Sequence, residues 1–243
     1  MLYARVAITI SASTVFPTTF IRRCGLVGPR FYFTDRRQRA ERQDGTLMKK
    51  FLSSLTAFLQ AASVKAEQQT GRYHNSYFNT DFSIEGALID DGISNVYIAT
   101  EAKRSNRAFI SVDGRELDAF KTSLQQARDK YLKWVDIAVG NKVTEMKKDL
   151  GIRFPAVTVA WATDKWRFSF GNRINMRFII LDDGRMVASW SAKVTASSDR
   201  SVSETIFFVF AGEDDFNNLI SELDYQTIHS RLLTSKNNEE LFK

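Results

Sequence analysis

Cysteine occurs once in the 243 residues, as Cys24, so no intrachain disulfide can form and a stapled secreted fold is excluded. Histidine occurs twice, as His74 and His229, without nearby Cys or clustered acids, which argues against the usual zinc sites. Proline occurs three times, and two of these, Pro17 and Pro29, fall within the first 47 residues. No apolar run approaches the roughly 18–20 residues that a membrane-spanning helix needs. Also missing are a Gly-rich phosphate loop, a nucleophile elbow and a metal-ligand cluster. The acid pairs Asp90-Asp91, Asp182-Asp183 and Asp214-Asp215 sit beside Gly, where turns and helix starts account for them. The chain therefore reads as a binding protein and not an enzyme, with no cofactor, no metal and no catalytic residue expected.

What is abundant is phenylalanine, at nineteen, with four tryptophans beside it: rings that fill cores or stack on bases. A composition that is 44% hydrophobic and 26% charged suits a folded globular chain. The net charge of +6 is unevenly spread. Residues 1–47 hold eight Arg against three acids, a net of +5, leaving 26 basic and 25 acidic side chains for the rest. The body of the protein is near neutral, and any basic surface must be sought in local patches.

Residues 1–47, Arg-rich and without an acid before Asp35, are read as sequence upstream of a true start at Met48, as a mitochondrial transit peptide, or as a disordered basic arm. The first reading goes with the cytoplasm of a bacterial or phage-infected cell, the second with mitochondria. Met48-Lys49-Lys50 and Phe51–Leu59 resemble a short signal peptide, but Ser53, Ser54, Thr56 and Gln60 dilute the apolar run. The spacing of Leu52, Leu55 and Leu59 instead predicts an amphipathic helix to about residue 69.

Gly71 to Asn79 reads as a loop, and residues 48–79 as helix and linker. Phe82–Ile84 and Leu88-Ile89 are weak strands split by Gly86, ahead of a turn at Asp90-Asp91-Gly92. Val96–Thr100 and Ala108–Val112 form a predicted hairpin across Lys103–Asn106. Asp113 and Glu116 suggest a capping box for a helix to about Ala138, with Leu117, Phe120, Leu124, Ala127, Tyr131 and Trp134 on one face. A second helical stretch is expected over Val143–Leu150, broken at Phe154-Pro155. Strands follow at Val157–Ala162, Trp166–Phe170, Asn175–Leu181 and Met186–Val194, with Asp182-Asp183-Gly184 as a hairpin turn. A polar loop over Ala196–Ser203, a strand at Thr205–Phe210, a helix from Gly212 and a last helix over Tyr225–Leu233 complete the chain. The tail ends in Glu239-Glu240-Leu241-Phe242.

Two passages echo each other. Phe109–Leu117 ends a strand, turns at Gly114 and starts a helix with acids in its first turn, and Phe208–Phe216 does the same around Gly212. The expectation is a duplication: a first sheet-and-helix unit over residues 80–139, a second over 140–224, and a C-terminal helix and acidic tail over 225–243. The fold class is α+β, with curved antiparallel sheets and amphipathic helices.

Strand alternation sorts the faces. Trp166, Phe168 and Phe170 are assigned to the core, with Met176, Phe178 and Ile180, and with Met186, Ala188, Trp190, Ala192 and Val194. The opposite face then carries Lys165, Arg167, Arg173, Arg177, Arg185 and Lys193 among Ser and Asn, groups that hold phosphates, sugars and base edges. Tyr73, Tyr77, Tyr97, Trp161 and Phe207 are the candidate stacking rings.

The segment Phe109-Ile110-Ser111-Val112-Asp113-Gly114-Arg115-Glu116-Leu117-Asp118-Ala119-Phe120-Lys121 resembles the last strand and helix of the PC4, Whirly and PUR group of nucleic-acid-binding proteins. The doubled order of four strands and a helix, over about residues 80–224, is similar to Whirly and PUR domains. The resemblance implies a curved sheet that binds single-stranded DNA, ahead of RNA, in transcription, replication or RNA handling, as a homo-oligomer. By position it implies Lys103, Arg104 and Arg107 of the first hairpin and Lys165, Arg167, Arg173 and Arg177 of the second unit as binding residues. This chain departs from the group in its sparse first-half strands and in lacking a Whirly-type lysine-rich motif. The alternative reading is a non-enzymatic protein-interaction or structural module, viral or exported.

Overall fold

The computed structural model describes residues 68–240, which form eleven strands and three α-helices. The N-terminal segment 1–47, nearly all of the expected helix to residue 69, and Leu241-Phe242 of the tail lie outside the described residues. Strands β1 (Gln68–Asn75), β2 (Thr80–Ile89) and β3 (Gly92–Ala99) form an antiparallel meander. A two-residue β4 (Glu101–Ala102) and β5 (Arg107–Asp113) follow, then a 3-10 turn (Gly114–Glu116) into helix α1 (Leu117–Gly140). The second half contains β6 (Met146–Asp149), β7 (Val157–Ala162), β8 (Trp166–Asn172), β9 (Arg177–Ile180), β10 (Met186–Ala196) and β11 (Asp199–Phe210). Helices α2 (Glu213–Glu222) and α3 (Tyr225–Glu240) end it.

The strands assemble into a six-stranded sheet, β1-β2-β3-β5-β7-β8, and a five-stranded sheet, β4-β11-β10-β9-β6. The class is α+β, with two antiparallel sheets. The six-stranded sheet draws strands from both sides of residue 140, because β5 pairs with β7 from Arg107↔Ala162 to Ser111↔Thr158. Between β3 and β5 the chain also crosses to the other sheet, where Ala102 pairs with Ile206. The hairpin expected from Val96–Thr100 and Ala108–Val112 is present, with Ile98 opposite Ile110, but the crossing strand Glu101–Ala102 stands ahead of its polar Lys103–Asn106 loop.

One row crosses the inner side of the larger sheet: Ile84, Ile98, Ile110 and Val159 are paired in register and fully buried. The smaller sheet contributes Phe178, Ala188 and Phe210 in one row, and Trp190 beside Phe208. Helix α1 buries Leu117, Phe120, Leu124, Ala127 and Tyr131, as its spacing requires, into this common core. Phe216 of α2 stacks on Phe210 at 4.2 Å between ring centroids. Asp113 accepts a hydrogen bond from the Arg115 N–H at the start of α1, whereas Glu116 makes no capping bond.

Several expectations are corrected. Residues 71–75, read as loop, belong to β1, in which the buried positions include Thr70 and Asn75 as well as Tyr73. Those polar side chains are satisfied, Thr70 donating to the Ile84 carbonyl and Asn75 to that of Val209, so an apolar alternation is absent from the sequence. Gln68 and Gln69, at the end of the expected N-terminal helix, open the same strand. The two weak strands around Gly86 are one strand with a bulge between Ala87 and Leu88. Val143–Leu150 contains strand β6 instead of a helix, because Met146–Asp149 pair with Arg177–Ile180 of β9. The polar loop Ala196–Ser203 is mostly hairpin: Thr195 pairs with Ser203, and Val194 with Glu204. The last helix runs to Glu240, beyond Leu233. Asp90 and Asp91 have φ of 49° and 61°, the left-handed pair of a tight hairpin turn, as the sequence leads one to expect.

Candidate nucleic-acid interface

The outer side of the six-stranded sheet is set by what its inner row leaves over. Residues flanking Ile110 and Val159 point away from the core, giving the rows Arg107–Ala162–Trp166 and Phe109–Ala160–Phe168. This reverses the face expected for β8. Trp166 is 37% exposed, and Phe168 and Phe170 are half-buried, whereas Ser169, expected on the open side, is buried. Two contacts accompany this orientation. As an edge strand, β8 turns Ser169 toward Asn172, whose amide donates to the Ser169 carbonyl at 2.7 Å. The tip of the β10–β11 hairpin closes on the same strand, the Ser197 N–H donating to the Phe168 carbonyl at 2.7 Å.

Trp166, Phe168 and Phe170 form a near-parallel row, with centroids 6.4 and 6.5 Å apart and planes inclined by 17° and 21°. Phe109 lies 5.9 Å from Trp166, and Tyr97 meets Phe109 edge-on. The Arg107 guanidinium sits 5.0 Å from the Trp166 ring centroid and 5.8 Å from that of Phe109. A cation held over an exposed indole at the head of a ring row joins the two elements that grip single strands, a charge for phosphate and faces for bases.

The nine cations singled out from the sequence do not share one surface, because β8 belongs to a different sheet from β9 and β10. Arg107 is on the ring-bearing face. Lys165 is exposed in the β7–β8 turn, and Arg167 lies half-buried in the inward row with Ala108 and Trp161. Ser201's hydrogen bonds, and then the charges of Arg167 and Lys165, hold the Asp199 carboxyl below the usual carboxylate range. Those two cations therefore already face an anion. On the outer side of the five-stranded sheet, Lys193 pairs across Thr205, whose carbonyl accepts the Lys103 N–H, so Lys103 and Lys193 flank one residue. Arg177 stands between Asp149 and Ser189 on that face. Arg185 is bonded to Asp183 at 2.7 Å and lies over Tyr77. Arg104 donates to the Ser203 carbonyl beside the buried Glu204 carboxylate, which also accepts the Ser105 hydroxyl at 2.6 Å. Arg173 is exposed between β8 and β9.

Of the candidate stacking rings, Tyr73 and Trp161 belong to the core, Tyr97 is buried on the outer side, and Phe207 and Tyr77 are half-buried. The surface rings of β8 were missed because three aromatics at alternate positions look like a core stripe. The signal that separates the two cases is β8's composition, in which no aliphatic residue accompanies the rings. Among the described residues no group of three or more His, Cys, Asp or Glu converges as metal donors, and no helix is long and apolar enough to cross a membrane. No family model, curated protein or solved structure matches the chain significantly.

Proposed function

We propose that the protein binds single-stranded nucleic acid, DNA ahead of RNA, through the outer side of its six-stranded sheet. The observation that carries this reading is the exposed Trp166 with the Arg107 guanidinium over its ring, at the head of the near-parallel row continued by Phe168 and Phe170. In this reading bases stack on the rings and Arg107 meets phosphate. No base-edge reader stands in the ring row, so the grip is tolerant of sequence. The order β1 to β5 and α1, followed by β6 to β11 and α2, places strands before a helix twice, which supports a doubled unit of the PC4, Whirly and PUR kind, in a homo-oligomer that acts by binding and not by catalysis.

The test is fluorescence anisotropy of a labelled oligothymidylate, with RNA and duplex DNA in parallel. Base–aromatic stacking contributes about 1–3 kcal/mol per base, so Trp166→Ala is expected to weaken binding by about tenfold. Arg107→Glu is expected to weaken it and flatten its salt dependence. Arg173→Glu in the β8–β9 connection with Arg177→Glu on the other sheet is expected to have the smaller effect, and the reverse order would move the interface there. No binding by the full chain at low salt sinks the proposal.

A further inference from the structure

Large apolar side chains are exposed together at one place away from the ring-bearing face. Ile137 and Val139 at the end of α1 are 50% and 63% exposed, and Met146 at the start of β6 is 36% exposed. Of these, Ile137 and Met146 line a groove of about 160 Å³, together with Trp134, Val143, Lys148 and Phe178. No carboxylate lines it, and its charge is positive: the Lys130 and Lys148 ammonium groups lie 5.3 and 5.1 Å from the Trp134 ring centroid. Strand β6 stands last in its sheet and pairs on one side with β9, so its other edge presents main-chain donors and acceptors beside the groove.

We propose that this edge and groove bind an extended acidic segment of a partner protein, one large apolar side chain seated in the groove and carboxylates flanking it. Pairing along β6 supplies main-chain hydrogen bonds, and the groove supplies selectivity, the two parts of strand addition. Side chains alternate along an added strand, so acids on both sides of the apolar residue reach both faces of β6, where Lys147 and Lys148 stand on opposite sides. A second copy of this chain fits less well. Antiparallel self-pairing of Met146–Asp149 keeps each face in register, so it sets Lys147 opposite Lys147 of the other copy, or Lys148 opposite Lys148, and like charges directly opposite are destabilising.

The experiment uses the full chain and two fluorescein-labelled peptides, Glu-Glu-Phe-Glu-Glu and its lysine counterpart, followed by anisotropy. Saturable binding of the acidic peptide alone, weakening as salt rises, is expected. Lys148→Glu and Met146→Asp are each expected to weaken it by about tenfold or more, with the circular dichroism melt and oligonucleotide affinity unchanged for Lys148→Glu. No saturable binding, equal binding of the lysine peptide, or indifference to both substitutions overturns the proposal. Concentration-dependent self-association that Ile137→Glu abolishes would overturn it in favour of a second copy.

Discussion

Asp215 is 1% exposed, and both of its carboxylate oxygens are occupied by backbone donors, the Ser76 N–H at 2.8 Å and the Ala211 N–H at 2.7 Å. It ties the β1–β2 turn to the start of α2, where the helix N-terminus also favours negative charge. Asp215→Asn puts an amide NH2 against one of those N–H groups, leaving a buried donor unmatched at a cost of about 1–3 kcal/mol. The neighbouring Asp214 is exposed, and Asp214→Asn is expected to stay within about 0.5 kcal/mol of the parent. Urea midpoints measured side by side check the contrast. Sequence reasoning places both acids at a helix start, which is where they are. Which of the two is buried depends on how the helix is rotated against a turn about 140 residues away, and no local pattern carries that. Trp166 makes the same point at the candidate interface: its type and strand position are legible, but its side of the sheet is not.

Gly114 and Gly140 bracket the approach to α1 and its end, and they are glycines for different reasons. A Cβ on Gly114 would lie 2.0 Å from the Ile93 carbonyl oxygen, so β3 and the 3-10 turn meet backbone to backbone. Gly114→Ala has to push a strand of the six-stranded sheet aside and is expected to cost about 1–3 kcal/mol, the usual range for overpacking, or more. Nothing lies within 4 Å of the corresponding position at Gly140, so Gly140→Ala is expected to be neutral or to stabilise the helix end by up to about 1 kcal/mol. Thermal melts of the two variants test the pair. Element existence was readable where the apolar period is strong, as in α1, β7 and β10. It was not readable in β1 and β6, which are sparse in apolar residues and are held in the sheets by pairing with β2 and β9. The partner of β6 lies on the far side of two other strands, and a window of sequence contains one partner only; the partner of β1 is the next strand, but buried Thr70 and Asn75 break the apolar alternation of β1.

Two phenols span the molecule's core. Tyr73 in β1 bonds the Ala99 carbonyl at 2.9 Å, and the Tyr131 hydroxyl of α1 lies 2.9 Å from the Met186 carbonyl and 3.1 Å from that of Ala211. Burial, with a smaller push from the Asp215 charge, raises the Tyr131 phenol to about 12 and raises that of Tyr73 as well. Free tyrosine ionises near about 10, so above that pH the unfolded chain holds fewer protons than the folded one. Stability is therefore whole below about pH 10 and falls as pH rises toward about 12. Urea midpoints between about pH 8 and about pH 11.5 should decline, and Tyr131→Phe should lessen the decline while lowering the starting value. A profile as steep in the variant as in the parent would show that Tyr131 carries none of it.

By itself the sequence determined the α+β class, the long helix α1, the tight turns and the neutrality of the body once residues 1–47 are set aside, since periodicity, turn chemistry and charge are local properties. Tertiary structure alone decided that β8 and β9 go to different sheets. That assignment splits the expected basic face, turns Trp166, Phe168 and Phe170 outward and leaves β6 at an open edge. The physical reason is that alternation sorts a strand's two faces without saying which one meets the core. Only the packing of β5 against β7, and of the β10–β11 tip against β8, makes that choice.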